Sequence, residues 1–582
     1  MVELDWKDFS PSIFEQAQRA DRPVLLVLTK RWCPHSKALL EDTLSAPEVL
    51  RLCRDEWIVV HVDAERRPDV NERYGTGAWP TIAYLTPSGE LLSQDRFLDA
   101  DALADRLRRV ARYYREHRDE IERGLKSLWA RREDGELARP RRAGHLNLQI
   151  VEDVVHAIYE KFDHRYGGWG EGSKFPLPEA IDFALVMVVK RGDENMREVV
   201  TLTLDRMMEG AIHDRVDGGF FRYSKTADWR SPEYEKVLDA NAMRLRNYLE
   251  AWQVFGDDAY RRTARGIVDW MLRFMQDPDT GAFFGNQAAD VEYYLLNADA
   301  RRRRNPPKVD PTIYTNGNAM AVLALLKASV VLDDRPLREI AMRTLSFLLD
   351  NLFDERDGVF HYWDGSYHLP GMLSDQAYLI RALIDAAQHC GDSDLLLPAE
   401  RIAEQVIERQ RAPDGGFFDI RFDQRQPGSM RRRNRSILEN SVMAEALVRL
   451  SLLSRRHEFH DEAVATLEAF TGDYKEYGYY VAGYGRAVDL IFYAPVQITV
   501  LGERSSAAAD ALRRAALSAY VPSRVVQMLD PRHDPVLIGR SGFPVEDGPV
   551  GYVELGGEPR GSARSPDELT AVIARVEAER RG

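Results

Sequence analysis

Cysteine is nearly absent: the 582 residues include three, Cys33, Cys53 and Cys390. Odd in number and far apart, they exclude a disulfide scaffold and suit a reducing cytoplasm, the compartment expected here. Long apolar runs are missing too. No stretch of about 18 apolar residues occurs, so no membrane span is predicted. The opening, Met1-Val-Glu-Leu-Asp-Trp6, has no basic region followed by an apolar one, so no signal peptide is expected. Positive charge is in deficit. A formal net charge of −14 argues against a general nucleic-acid binder. Neither a metal nor a cofactor is predicted.

Hydrophobic residues make up 44% and aromatics 10%, enough to bury several cores. The length calls for about three or four domains. One turn recurs through the chain: an Asp, a short gap, then Gly with an aromatic or apolar partner. Copies are Asp163–Trp169, Asp214–Phe220, Asp277–Phe283, Asp354–Phe360 and Asp414–Phe417, with a weaker sixth at Asp473–Tyr479. They return at intervals of about 50–80 residues, which marks a repeat architecture. Each follows a helical stretch. Gly supplies the positive φ that ends a helix, and Asp caps nearby N–H groups. Any single copy is also what an ordinary helix stop requires; six in series specify a layout.

Before the repeats, residues 1–115 read as an α/β domain. Pro23–Thr29 and Trp57–Val62 are buried strands, and Lys30-Arg-Trp-Cys33-Pro-His-Ser36 opens a helix between them. Trp79-Pro80-Thr81 leads into a third strand, and residues 100–115 form a helix. The Trp-Cys-x-x at the first helix and the Pro-Thr pair resemble thioredoxin. That resemblance implies a cis bond at Pro80, facing Cys33. The second thiol of the family is Ser36 here, and the acid six residues before the first Cys is Val27. Dithiol chemistry needs two thiols, so the domain is expected to be a docking or structural module, or a monothiol redox site. Cys53 is expected in the core.

Residues 116–145 are a charge-dense helix and linker, with Arg139-Pro-Arg-Arg142 either a docking patch or a solvated face. From 146 to 494, twelve helix-length stretches fall into six pairs. Connections from odd to even helices are long, as in 213–232 and 276–314; those from even to odd are short. This alternation predicts an (α/α)6 toroid with even helices inside and every long loop at one end. Loops on a rigid scaffold concentrate function there. Residues 495–582 read as a small α/β segment, a degenerate thioredoxin-like half in one reading. The fold class expected is therefore multidomain, α/β plus all-α.

Several motifs carry a more specific likeness: Gly167-Gly-Trp-Gly-Glu-Gly-Ser-Lys174, Gly210–Ser224, Trp229–Ala242, Tyr314–Gly317, Leu373–Asp375 and Glu439-Asn440-Ser441. Together with the domain order, they resemble the family of the spermatogenesis-associated thioredoxin-domain protein and its bacterial YyaL-type relatives. These couple a thioredoxin-like domain to a six-hairpin glycosidase-like ring. The likeness implies a fold rather than a reaction. It breaks where that family has a second Cys, a His at Glu233, Tyr-Asp at Asp239-Ala240 and often a His at Arg215.

Sugar hydrolysis on such a ring needs two carboxyls about 5–9.5 Å apart and aromatics to stack on sugar faces. The catalytic candidates are Glu235, Glu439, Asp375, Asp214 and His213, with Glu235 held ionised by Lys236. Glu233, His361 and His368 lie on the same loops. The substrate-binding candidates are Trp169, Lys174, Phe220, Arg222, Trp229, Tyr234, Asn241, Asn316, Asn440 and Trp363; Cys33 and Pro80 are the redox candidates. Each acid alone also suits an N-cap or an ion pair. Two basic runs, Arg301–Arg304 and Arg431–Arg435, offer forks for phosphate or carboxylate, or serve as solvated surface. The expected function is carbohydrate binding or modification at the ring mouth, with a sugar or sugar-phosphate ligand. The rival is a scaffold that docks a protein partner through the thioredoxin-like domain, or a monothiol sensor at Cys33.

Overall fold

A computed structural model describes residues 4–133, 144–493 and 495–581. The charge-dense stretch around 131–142 lies outside the described side chains. The chain divides into two compact units: residues 1–141 with 419–434, and residues 142–418 with 435–582.

The first unit runs α1 (Pro11–Ala20), β1 (Val24–Thr29), α2 (Pro34–Ala38), α3 (Pro47–Glu56), β2 (Ile58–Asp63), α4 (Pro68–Tyr74), β3 (Thr81–Leu85), β4 (Leu91–Asp95) and α5 (Ala100–Glu133). The sheet order is β2-β1-β3-β4, with β1 and β2 parallel and the other pairings antiparallel. Every residue of β1 is buried, as a central strand covered on both faces must be. The Trp79–Pro80 bond is cis. Helix α5 runs through residue 115 with a kink at His117. Residues 419–434 join this unit through a buried ion pair: Arg73 donates to both oxygens of Asp419, at 2.9 and 3.1 Å. In sequence this stretch lies between the helices Leu396–Gln410 and Ile437–Ser454, where the alternation of long and short connections predicts a mouth loop.

The second unit begins with α6 (Gln149–Glu160), α7 (Pro178–Arg191), α8 (Glu194–Glu209), α9 (Leu238–Phe255), α10 (Asp258–Trp270), α11 (Thr315–Val331) and α12 (Pro336–Leu352). A hairpin, β5 (Gly358–Trp363) and β6 (Tyr367–Pro370), leads into α13 (Leu373–Cys390). Then follow α14 (Leu396–Gln410), α15 (Ile437–Ser454), α16 (His457–Glu468) and α17 (Ala482–Phe492). Helices α7, α9, α11, α13, α15 and α17 each pack on the next, and α17 returns to α7, closing an inner ring. Helices α8, α10, α12, α14, α16 and α6 lie outside it, one against each inner helix. This is the (α/α)6 toroid expected from the loop lengths, with the even helices inside.

The repeated turns have a common geometry. Asp214 N–H donates to Gly219 O at 3.0 Å and Gly218 N–H to Asp214 O at 2.9 Å, and Asp163 and Asp277 repeat the pattern. The Asp carboxylate caps the turn, as Asp163 does for Arg165 and Tyr166 N–H. Gly218 has φ +81°, and a Cβ there would meet the Gly266 carbonyl at 2.0 Å, so no larger residue fits.

A second device pins the turns to the inner helices. Asn241 Oδ1 accepts from Phe220 N–H at 2.7 Å, and its Nδ2 donates to Phe220 O and Val237 O at 3.0 Å each. Asn318 grips Phe283 and Tyr314 in the same way, and Asn440 grips Phe417 and Ser436. Each is the fourth residue of its inner helix and fully buried.

The C-terminal module comprises β7 (Val496–Leu501), α18 (Ala507–Ser518), β8 (Arg524–Leu529), α19 (Pro535–Ser541), β9 (Val550–Leu555), β10 (Glu558–Ala563) and α20 (Pro566–Arg581). Its sheet order is β8-β7-β9-β10, with β7 and β8 parallel and the rest antiparallel. Strand order, sense and intervening helices match the N-terminal sheet, so the chain carries the thioredoxin-like connectivity twice. The module closes the far end of the ring. Gln388 Oε1, near the end of α13, accepts from Val526 N–H at 2.8 Å, and Gln527 donates to Leu453 O at 2.8 Å. Among the described residues no helix is long and apolar enough to cross a membrane.

Candidate functional site

The long loops and the first turns of the inner helices share one end of the ring, and most residues expected to act there have structural partners. Asp214 is buried between Lys236 at 2.7 Å and Arg301 at 2.8 and 2.9 Å, and these cations hold its pKa low against the cost of burial. Arg301 also pairs with Asp217, and Arg302 and Arg304 pair with Asp299 and Glu292. Three of the four arginines of that run are therefore paired with carboxylates. In the second run, Arg431 lies 3.9 Å over the Trp129 ring in the first unit, and Arg435 pairs with Asp414.

Lys236 pairs with Asp214 rather than with Glu235. Glu235 and Lys236 are consecutive in extended chain and point to opposite faces. Glu235 is buried against Arg222 at 3.5 Å, and burial raises its pKa. His213 stacks on Phe220 at 4.7 Å, and its Nδ1 lies 3.1 Å from Met208 O. Burial lowers its pKa. It lines a cavity bounded by the outer helices α8 and α10 rather than the ring axis. Glu439 is the N3 residue of a capping turn, its N–H donating to Ser436 Oγ at 3.3 Å.

The aromatics are mostly core. Trp169 donates to Ile158 O, and Trp229 donates to Tyr166 O; both are buried. Phe220 is fully buried, Trp363 packs on Phe347, and Tyr234 stacks on Tyr294. Lys174 is buried on Asp163 and Gly167 O. Asn241 and Asn440 have both amide atoms on main chain, as described above, which leaves them no ligand role.

Asp375 and His361 do come together. Hairpin β5–β6 places His361 Nδ1 2.8 Å from Asp375 Oδ2, at the first turn of α13. Asp375 Oδ1 accepts from Asn316 N–H at 3.1 Å, and Tyr314 lies 5.5 Å from the imidazole. Burial raises the Asp375 pKa, while His361 opposes the rise.

The axis itself was not among the expected residues. Glu179 on α7 is solvent-exposed, yet desolvation by the surrounding helices raises its pKa. That combination marks a group lining a recess. The negative charge of Asp239 on α9 pushes the same way, and Arg381 on α13 opposes. The Tyr378 hydroxyl feels the same three charges and is raised by burial. Glu179, Tyr378 and Arg381 line a recess of about 40 Å³ together with Asp182, Met243, Arg246, Glu445 and Arg486 among others. These come from five inner helices at i, i+3 or i+4 spacing, such as Met243, Arg246 and Glu250 on α9. The sequence signal was available: a charged stripe on helices that are otherwise apolar all round.

In the first unit, Cys33 is buried at the start of α2, with Sγ 3.6 Å from Trp79 O, the carbonyl of the cis bond. Ser36 Oγ accepts from Lys30 N–H at 3.3 Å, and Lys30 Nζ sits 4.1 Å over the Trp79 ring. Cys53 is fully buried on α3, and burial pushes its thiol up to about 12. All three cysteines are free.

Similar sequences are known for most of the chain. The family model Thioredox_DsbH, described as a protein of unknown function, DUF255, matches residues 2–132. Spermatogenesis-associated protein 20 from Homo sapiens is 22% identical over 668 residues, covering 90% of this chain and 84% of that protein. The Rattus norvegicus protein is 27% identical over 311 residues, 49% of this chain and 39% of its own length. Among solved structures, a D-mannose isomerase aligns with a TM-score of 0.48 at 10% identity, covering 58% of this chain and 96% of its own. The unsaturated glucuronyl hydrolase from Bacillus sp. GL1 gives 0.43 at 17% identity, covering 59% and 97%. Along nine-tenths of its length this chain is thus similar to spermatogenesis-associated protein 20, and its N-terminal residues 2–132 match the Thioredox_DsbH model.

Proposed function

We propose that the ring binds a sugar-like, polyhydroxylated ligand at the N-terminal ends of its inner helices and modifies it by acid–base chemistry. The observation that carries this reading is the Glu179–Asp239 pair beside Tyr378 and Arg381. A carboxyl whose proton affinity is raised, with a second carboxyl acting on it, is an arrangement suited to acid–base catalysis. Glu179, raised by burial and by its acidic neighbour, is the proton donor. Asp239 serves as base or nucleophile, Arg381 steadies developing negative charge, and Tyr378 orients a hydroxyl. The His361–Asp375 dyad, tied to Asn316 at the same end, is the second proton-transfer candidate.

The test is a thermal-shift screen of the full chain against neutral, acidic and phosphorylated sugars, with Glu179→Gln and Asp239→Asn alongside. One sugar class should raise the melting temperature, and both variants should alter that response. At a hundredfold excess over Kd the gain is about 2.7 kcal/mol. No shift with any sugar would refute the reading. A second reading has its own support: Cys33 beside the cis bond with Ser36 in place of a partner thiol suits a monothiol site, which mass spectrometry after oxidant and glutathione would detect as an adduct on Cys33.

A further inference from the structure

Where the inner helices stop against the C-terminal module they bound a cavity of about 100 Å³, which shares Asp182, Arg246, Glu250, Arg381, Glu445 and Arg486 with the recess lined by Glu179. Its lining is ionic. Six side chains are cationic, Arg246, Lys327, Arg381, Arg449, Arg486 and Arg524, against four carboxylates, Asp182, Glu250, Asp385 and Glu445. Lys327 and Arg246 share Glu250 at 3.1 and 3.4 Å, and Arg381 meets Glu445 at 3.4 Å. Arg449 pairs with Asp385, and Arg486 lies 3.7 Å from Asp182. Asp489 reaches Arg486 at 3.6 Å but belongs to the buried Lys190.

Arg524 is different. It has no carboxylate within 4 Å among the described residues, and its Nη1 donates to the carbonyls of Ala516 and Ala519 at 2.7 and 2.6 Å. His389 adds a second loose end. It is buried, its Nδ1 has no hydrogen-bond partner, and it lines the same cavity. Burial holds its pKa down to about 3, so it brings no charge at neutral pH. The chamber therefore holds a formal surplus of two positive charges in a low-dielectric setting, where uncompensated charge is expensive.

We propose that this chamber binds a free tetrahedral oxyanion of the phosphate class, held by Arg524, Arg449 and Lys327 with His389 Nδ1 as a further donor. Guanidinium forks match such an ion bidentately. The volume admits a small ion or several waters. The bound ion would join the C-terminal module, through Arg524, to inner helices α11 and α13 and to α15.

The test uses the full chain. Inorganic phosphate should raise the melting temperature saturably at matched ionic strength, where sodium chloride does not, and calorimetry should return one site. Arg524→Gln should weaken phosphate binding about tenfold or more, the loss expected for a charge-assisted hydrogen bond, and Arg524→Lys should recover part of it. Glu179→Gln should leave phosphate binding unchanged. Glycerol phosphate should bind more weakly than inorganic phosphate; equal or tighter binding would overturn the free-anion assignment. No saturable response, or one undiminished in Arg524→Gln, would overturn the site. If Arg524→Gln fails to fold, phosphorus NMR of the unmodified protein decides: phosphate line broadening reversed by sulfate supports the site, and its absence refutes it.

Discussion

Asn241→Ala separates structure from ligand binding at the ring mouth. Asn241 makes three hydrogen bonds to main chain, at 2.7, 3.0 and 3.0 Å, and is fully buried. Its removal strands Phe220 N–H and two carbonyls where water cannot reach. A hydrogen bond is worth about 1 kcal/mol net, and each buried group left unpaired costs about 1–3 kcal/mol. Some carbonyls retain other partners, so the expected loss is about 2–4 kcal/mol. Urea unfolding followed by circular dichroism measures it, with the ring transition read alone because a chain of two units need not unfold in one step. Asn241→Asp should be no better: it keeps the acceptor for Phe220 N–H, but it loses both donors and buries a charge. Ligand affinity of the surviving folded fraction should be unchanged. A loss below about 0.5 kcal/mol, or lost affinity with intact stability, would refute the clamp and restore Asn241 as a binding residue.

Asp419→Ala should leave Arg73 charged and unpaired in the first unit, a loss of about 3–5 kcal/mol for a broken buried pair, seen as faster hydrogen exchange over residues 419–434. His389→Gln should flatten the acid limb of stability. The unfolded histidine takes a proton below about pH 6.5, and the folded one resists until about pH 3, so the parent loses stability as pH falls through that window; a variant with the same slope would refute the argument. Cys53 should resist iodoacetamide at pH 8 in the folded protein, because its thiol is buried and raised to about 12, and should react after denaturation. Labelling at native pH would show that α3 opens.

The toroid was legible because two independent signals agreed: the recurring Asp–Gly turns and the alternation of long and short connections. The thioredoxin-like start was legible from its apolar strands and the Cys33 and Pro80 positions. The site was less so. Acids such as Asp214 and Glu235 drew attention because they stand in loops, yet loop acids near Lys236, Arg222 and Arg301 find partners that only tertiary structure reveals. Lys236 illustrates the difficulty: adjacent to Glu235 in sequence, it faces the other way in an extended segment and pairs with a residue 22 positions earlier. Asn241 and Asn440 stood out as motif residues, but their position four residues into each inner helix serves the turns. The axis residues Glu179, Arg246, Tyr378 and Arg381 were hidden inside helices. Their helical spacing was the available clue, and it becomes meaningful only once those helices are known to surround a common axis.

The union of residues 1–141 with 419–434 has a consequence for biosynthesis. A thioredoxin-like domain ordinarily completes itself once its last helix has left the ribosome. Here the buried partner of Arg73 is Asp419, and the intervening stretch of about 280 residues must be made first, which takes roughly 15–55 s at about 5–20 residues per second. During that interval the Arg73 guanidinium lacks its carboxylate, and the nascent N-terminal domain exists in an unfinished form. Its final stability is therefore conferred late, by a segment delivered from between two helices of the ring.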